Sequence, residues 1–295
     1  MQRSSFPVNS GGKASHFPLS LASTGSGQSK HQQFEHDILV PAAPSQPVAF
    51  QTILDVIETK KAAFAQAPLF QFMQDRRISP LQRLGFAPCI AHFILSFGDL
   101  NKYIFRDEAS DDVVQKLVNE HTYEDDHHWH WFLRDLDELG FNRPKGFADT
   151  LRFLWSDETF VTRQLSYQLS ACTLTADPVI KMAAIEAIEA TGNILFTHTA
   201  QIVQELEAMT GREYIYFGQF HLNVETGHAV GDEDTEAQLA AVVLSAEIEK
   251  QALQVVTHVF EIFTSWLDEM LTYAQTRPVC DWITPTSINP DALGV

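Results

Sequence analysis

Two short stretches of the chain concentrate side chains able to grip a metal ion. One reads Glu120-His121-Thr122-Tyr123-Glu124-Asp125-Asp126-His127-His128-Trp129-His130, the other His221-Leu222-Asn223-Val224-Glu225-Thr226-Gly227-His228. A helix turns about 100° per residue, so offsets of four and seven return to nearly the same face. His221, Glu225 and His228 fit those offsets, and Glu120, Glu124 and His127 repeat them. Both stretches contain Glu-x-x-His: Glu124 with His127, and Glu225 with His228. Two such pairs on facing helices, with a carboxylate from each of two more helices, make the dimetal plan of helical bundles. His128 competes with His127 because it lies one turn after Glu124, while Asp125 and Asp126 are expected to face water.

A third contribution comes from Ile180–Gln201, where Glu186 and Glu189 stand among Met182, Ala183, Ala184, Ile185, Ala187 and Ile188. Burying an acid on so apolar a helix is costly unless it is paired or metal-bound. Glu189 is the expected ligand, with Glu186 one turn earlier as the alternative. Mixed imidazole and carboxylate donors suit iron or manganese, whereas calcium prefers oxygen donors alone. The expected cofactors are two Fe(II) ions, or manganese, with dioxygen as co-substrate at the open positions.

These residues need helices to hold them, and the chain supplies little else. Residues 1–47 are rich in Ser, Gly, Gln and Pro, which reads as a disordered leader. From Val48 the apolar spacing is helical. Helices are expected near Gln51–Gln66, from Ser79-Pro80 to about 105, from Asp111 to Leu139 with a stop at Gly140, and near 147–155, 157–174, 178–209, 213–230 and 234–275. Asp177-Pro178 and Thr210-Gly211 punctuate them. No strand pattern stands out. The fold class is all-α, a single bundle of about seven helices over 48–278, with an irregular tail at 279–295.

Charge and cysteines narrow the partners. The 295 residues carry 38 acidic and 20 basic side chains, a net charge of −18. That balance argues against nucleic acid or an anionic membrane as partner. No apolar run approaches the ~20 residues needed to cross a bilayer. Cys89, Cys172 and Cys280 are too few and too scattered for a disulfide framework. A cytoplasmic protein with a small-molecule substrate is expected, with room for a homodimer.

The motif residues resemble the haem-oxygenase-like diiron oxidases, a family of iron-containing redox enzymes. That family shows a Glu-rich helix ending in a ligand His, a mid-chain Glu on an apolar helix, and a late His-x3-Asp-x2-His element. The corresponding stretches are Glu124-x2-His127, Glu189, and Tyr216-Phe217-Gly218-Gln219-Phe220-His221-x3-Glu225-x2-His228, within a likeness spanning 80–275. Glu225 stands where Asp is usual. The family's first ligand, a Glu on the helix here near 80–105, has no counterpart; Asp99 or His92 would stand in, or Glu120 would complete the shell. The resemblance implies the seven-helix haem-oxygenase-like bundle without haem, and oxidation of an amino-acid-like or fatty-acid substrate in specialised metabolism. Tyr123, Tyr216, Phe217 and Phe220 are candidate pocket walls. Two other classes compete: a ferritin-like iron-storage protein, and a metal-free thiaminase-like hydrolase or scaffold, for which Cys172 is the one candidate nucleophile.

Overall fold

Capping chemistry sets the helix boundaries that matter most. A computed structural model describes residues 48–229, 237 and 239–283, with the side chains of 225–229 outside the described set. The expected leader at 1–47 and the tail beyond 283 lie outside the described residues. Along the chain run β1 (Val48–Ala49), α1 (Gln51–Phe64), α2 (Pro68–Gln74), α3 (Pro80–Arg83) and α4 (Ala91–Leu100), which continues into a π-helical turn at Asn101–Phe105. Then come α5 (Val113–Asp125), α6 (Trp129–Glu138), α7 (Phe147–Leu154), α8 (Phe160–Thr173), α9 (Pro178–Thr210), α10 (Gln219–Ala229), β2 (Val243–Leu244) and α11 (Ala246–Thr276).

Helix α9 is the hub. Asp177 caps its start by accepting from the Val179 N–H at 2.9 Å, with Pro178 preset for the first turn. Gly211 closes it in the left-handed region at φ 68°, where a side chain would be strained. Between Val179 and Thr191 nearly every position is buried, as a helix surrounded by others requires. Helices α1, α2, α5, α10 and α11 pack against it, while α4 and α8 pair alongside and α8 reaches α11. Among the described residues, no helix is long and apolar enough to cross a membrane.

Several expectations need correction. The helix expected from Ser79-Pro80 to about 105 is divided into α3 and α4 by turns at 84–90, the one expected from 213 starts at Gln219, and the one expected near 234–275 is interrupted by β2. The predicted helix over 111–139 is two helices, because the chain leaves regular α-helix at 126–128 before α6 begins. The short strands β1 and β2 pair antiparallel, Val48 with Leu244 and Ala49 with Val243. Two-residue strands have no periodicity to detect, so only the fold reveals them. The expected irregular tail starts as docked chain: Val279 and Ile283 are buried, and the Trp282 indole donates to the Tyr273 hydroxyl at 2.7 Å.

The break in α5–α6 is held by close contact with α4. A Cβ on Gly98 would sit 2.9 Å from the Asp126 carbonyl oxygen and 3.2 Å from Trp129 Cδ1. Backbone cannot retreat as a flexible side chain can, so this position needs glycine for space. Gly98→Ala is expected to cost about 1–3 kcal/mol by overpacking, read as a lower urea midpoint with an unchanged slope. An unaltered midpoint would mean that the contact has slack.

Candidate functional site

A mostly apolar cavity of about 60 Å³ lies between α1, α4, α5, α9, α10 and α11. That is room for a few water-sized molecules. Its walls include Phe93, Phe97, Leu195, Phe196, Phe263 and Trp266, and its polar lining is dominated by Asp125, His128, Glu189 and His221, all four of them buried. None of the lining residues is Lys or Arg. Two carboxylates are therefore buried there with imidazoles, and no ammonium or guanidinium, among the lining residues.

Helix α5 supplies the first pair of donors. His121 Nδ1 lies 2.9 Å from Glu189 Oε1 of α9 as an ion pair. Burial alone pulls the His121 pKa down. The adjacent Glu189 charge and hydrogen bond, with Glu186 and Asp125 behind them, outweigh that and push it up to about 10. The protonated His121 ring thus matches the buried Glu189 charge.

The second pair faces it across the same cavity. His128 Nδ1 is 3.1 Å from His221 Nε2 and 3.7 Å from Asp125 Oδ1. His221 Nδ1 donates to the Tyr216 carbonyl at 2.8 Å. A carbonyl only accepts, so in the neutral ring it fixes the proton on Nδ1 and turns the Nε2 lone pair toward His128. Trp131 stacks on His128 at 4.3 Å, and Phe196 closes on His221 at 4.0 Å, which leaves both rings little freedom.

The structure shifts the expected register of α5 by one residue. Glu120 and Glu124 are exposed, and His127 is half-exposed beside Asp126 at 3.6 Å. The inward set is His121, Asp125 and His128, which keeps the offsets of four and seven; Asp125, expected to face water, is buried, and Asp126 is half-buried against Arg106. Val114 and Val118 anchor the buried face of α5, and the face recurs every seven residues at His121, Asp125 and His128. The apolar residues of one turn predict the facing of the next, a signal that choosing acids first overlooked. Asp99 is exposed, and His92 meets Trp155 and Tyr167 away from the cavity, so α4 contributes apolar wall and neither candidate donor. Glu189 is buried and Glu186 half-buried one turn away. The side chains of Glu225 and His228 lie outside the described residues. Of the expected wall residues, Tyr216 lines the cavity. Phe217 is buried against Phe86 and Phe132, Phe220 lies against Trp131, and Tyr123 is exposed under the Arg106 guanidinium.

The donors fit a metal in kind: oxygen and imidazole nitrogen, with none of the three cysteines in the lining. Two donors each about 2.1 Å from one cation lie about 3 Å apart. The contacts of 2.9 and 3.1 Å match that spacing and equally match direct pairing. Among the described residues, no three His, Cys, Asp or Glu side chains are grouped closely enough to hold an ion by themselves.

Asp135 is a residue the motif search missed. It is fully buried on α6, and its two oxygens accept the N–H groups of Ile215 at 2.8 Å and Phe217 at 2.9 Å. Those bonds clamp the backbone on both sides of Tyr216, whose carbonyl orients His221.

Comparison with known proteins reveals the architecture. No family model and no curated protein matches the sequence. Solved structures do. A domain of unknown function with a haem oxygenase-like fold from Shewanella denitrificans superposes with a TM-score of 0.57 at 13% identity, covering 77% of this chain and 94% of that one. A TenA homologue from Pseudomonas syringae pv. tomato gives 0.53 at 14% identity, with the same coverages. The chain has the haem-oxygenase-like all-α fold, as its motifs led us to expect.

The Asp135 clamp makes two measurable claims. Asp135→Ala leaves two backbone N–H groups without their acceptor, at about 1–3 kcal/mol each, seen as a lower denaturation midpoint. Burial raises the Asp135 pKa from 3.8 to about 6, against the opposing backbone bonds from Phe217 and Ile215. Between those values the folded chain holds a proton that the unfolded chain has released, so this group's contribution to stability falls as pH rises from about 4 to about 6. Asp135→Asn should remove that slope from the wild-type-minus-variant difference. Parallel pH profiles for the two proteins would refute the assignment.

Proposed function

We propose that the chain is a non-haem iron oxidase that binds Fe(II) between α5, α9 and α10 and uses dioxygen to oxidise a small substrate. The observation that carries this reading is the convergence of Asp125, His128, Glu189 and His221 on one apolar cavity without a lysine or arginine to balance the acids. Carboxylates in such a place need cationic company. Asp125, His128, Glu189 and His221 would hold the ions, with His121 joining them once its proton is displaced, and from α10 Glu225 and His228 at the same offsets of four and seven. Bound ferrous iron would supply the electrons that dioxygen needs. The chain's own part is to orient His221 through the Tyr216 carbonyl, to neutralise cation charge with Asp125 and Glu189, and to exclude water with the aromatic walls.

The metal-free hydrolase remains a distinct reading of the same fold, given the TenA homologue among its structural neighbours. Its requirement for a reactive thiol finds little support. Burial pushes the Cys172 thiol up, and its S–H donates to the Leu169 carbonyl on α8. Cys89 is buried too, and burial with the nearby Glu269 raises its pKa well above the ordinary range.

Anaerobic titration with Fe(II), followed by metal counting and oxygen uptake, tests the proposal. We expect saturable binding approaching two irons per chain. Glu189→Ala, His128→Ala and His221→Ala should each weaken it by about tenfold or more, with helicity preserved. Glu124→Ala and His127→Ala should leave it unchanged, which separates the inward register from the outward one. Absence of binding sinks the oxidase reading in favour of the hydrolase. Iron accumulating far beyond two per chain points to storage.

A further inference from the structure

Helix α8 carries a single charged residue, Arg163, and that residue is buried, with its guanidinium donating to the Leu154, Ser156 and Thr159 carbonyls. The outward stripe is Phe160, Gln164, Tyr167, Ala171 and Leu174, spaced at offsets of four, seven, eleven and fourteen. It is uncharged for about 21 Å of helix. Tyr167 is 56% exposed, Phe160 51% and Leu174 57%.

The stripe does not end at α8. His92 of α4 contacts the rings of both Tyr167 and Trp155, so the face continues onto α7. There Phe147, Leu151 and Trp155 repeat every fourth residue, none of them buried, with Phe147 79% and Trp155 59% exposed. A large aromatic side chain offers about 150–250 Å², so these exposed fractions give about 400–600 Å² for the four aromatics alone. Leu151 and Leu174 extend the face toward the ~800 Å² per partner of a stable interface. The largest apolar patch of a monomer is typically about 300–600 Å² and often functional, and this face lies at the upper end of that range.

We infer that a second copy of this chain covers this face, with the two α8 helices antiparallel across a twofold axis near Tyr167. Two arguments select a like partner. A chain of net charge −18 repels its own copies, so self-association requires a face without charge, and α8 provides one. Tyr167 also stands seven residues from both Phe160 and Leu174, so a twofold axis there sets Phe160 of one copy opposite Leu174 of the other, as a self-complementary interface demands.

Sedimentation equilibrium on the full chain reads the result directly. The expected mass is twice the chain's 33.2 kDa. Tyr167→Glu should halve it, as two carboxylates would meet at the axis, while Met209→Glu, on an exposed position of α9, should not. Phe160→Lys and Leu174→Glu should each lower the mass when made alone. Combined in one chain they should restore it, because each substitution then faces its opposite charge. Circular dichroism confirms that the variants fold. A monomeric wild-type chain would overturn the inference and leave the face to the chain's own terminal segments. A dimer indifferent to Tyr167→Glu, or a double variant that stays monomeric, overturns the twofold arrangement.

Discussion

Everything at the centre of this molecule answers to the cost of burying carboxylates. Asp125 and Glu189 are buried at a mostly apolar cavity, and none of the described residues lining it is a lysine or arginine. An uncompensated buried charge is among the most destabilising features a fold can carry. His121 of α5, His128 of the break after it and His221 of α10 are the imidazoles placed beside these acids. This convergence underlies the proposal that the site binds a cation.

Placement of those side chains depends on backbone that is not regular helix. The departure at 126–128 lets α5 carry His121 and Asp125 inward while setting His128 against Trp131 at the start of α6. Gly98 permits α4 to press on that departure. On the opposite side, Asp135 fixes the segment before α10 and so the carbonyl that chooses the His221 tautomer. A change at Asp135, which is not itself a lining residue, would be felt at His221 through two hydrogen bonds and one carbonyl.

The outer surface follows a different rule. An acidic chain keeps its copies apart by repulsion except where charge is missing, and α8 is such a place. The cavity and the α8 face share α4, whose inner side gives Phe93 and Phe97 to the cavity and whose other side sets His92 against Tyr167 and Trp155. One ten-residue helix therefore serves both, its two faces separated by the 100° turn per residue.

The amino-acid sequence alone determined the helical class, the caps at Asp177 and Gly211, and the identity of α5, α9 and α10 as the bearers of donors. These are local matters: spacing, capping and turn chemistry act within a few residues. Glu189 and His221 were legible for the same reason, one as an acid on an apolar helix and the other as part of a spaced motif. The facing of α5 was only half legible. The offsets of four and seven fit two adjacent registers equally, and packing of Val114 and Val118 against α9 selected the one with His121, Asp125 and His128. The β1–β2 ribbon, the break at 126–128 and the Asp135 clamp join residues up to about 200 positions apart. No local pattern encodes such contacts, so the tertiary structure alone decided them.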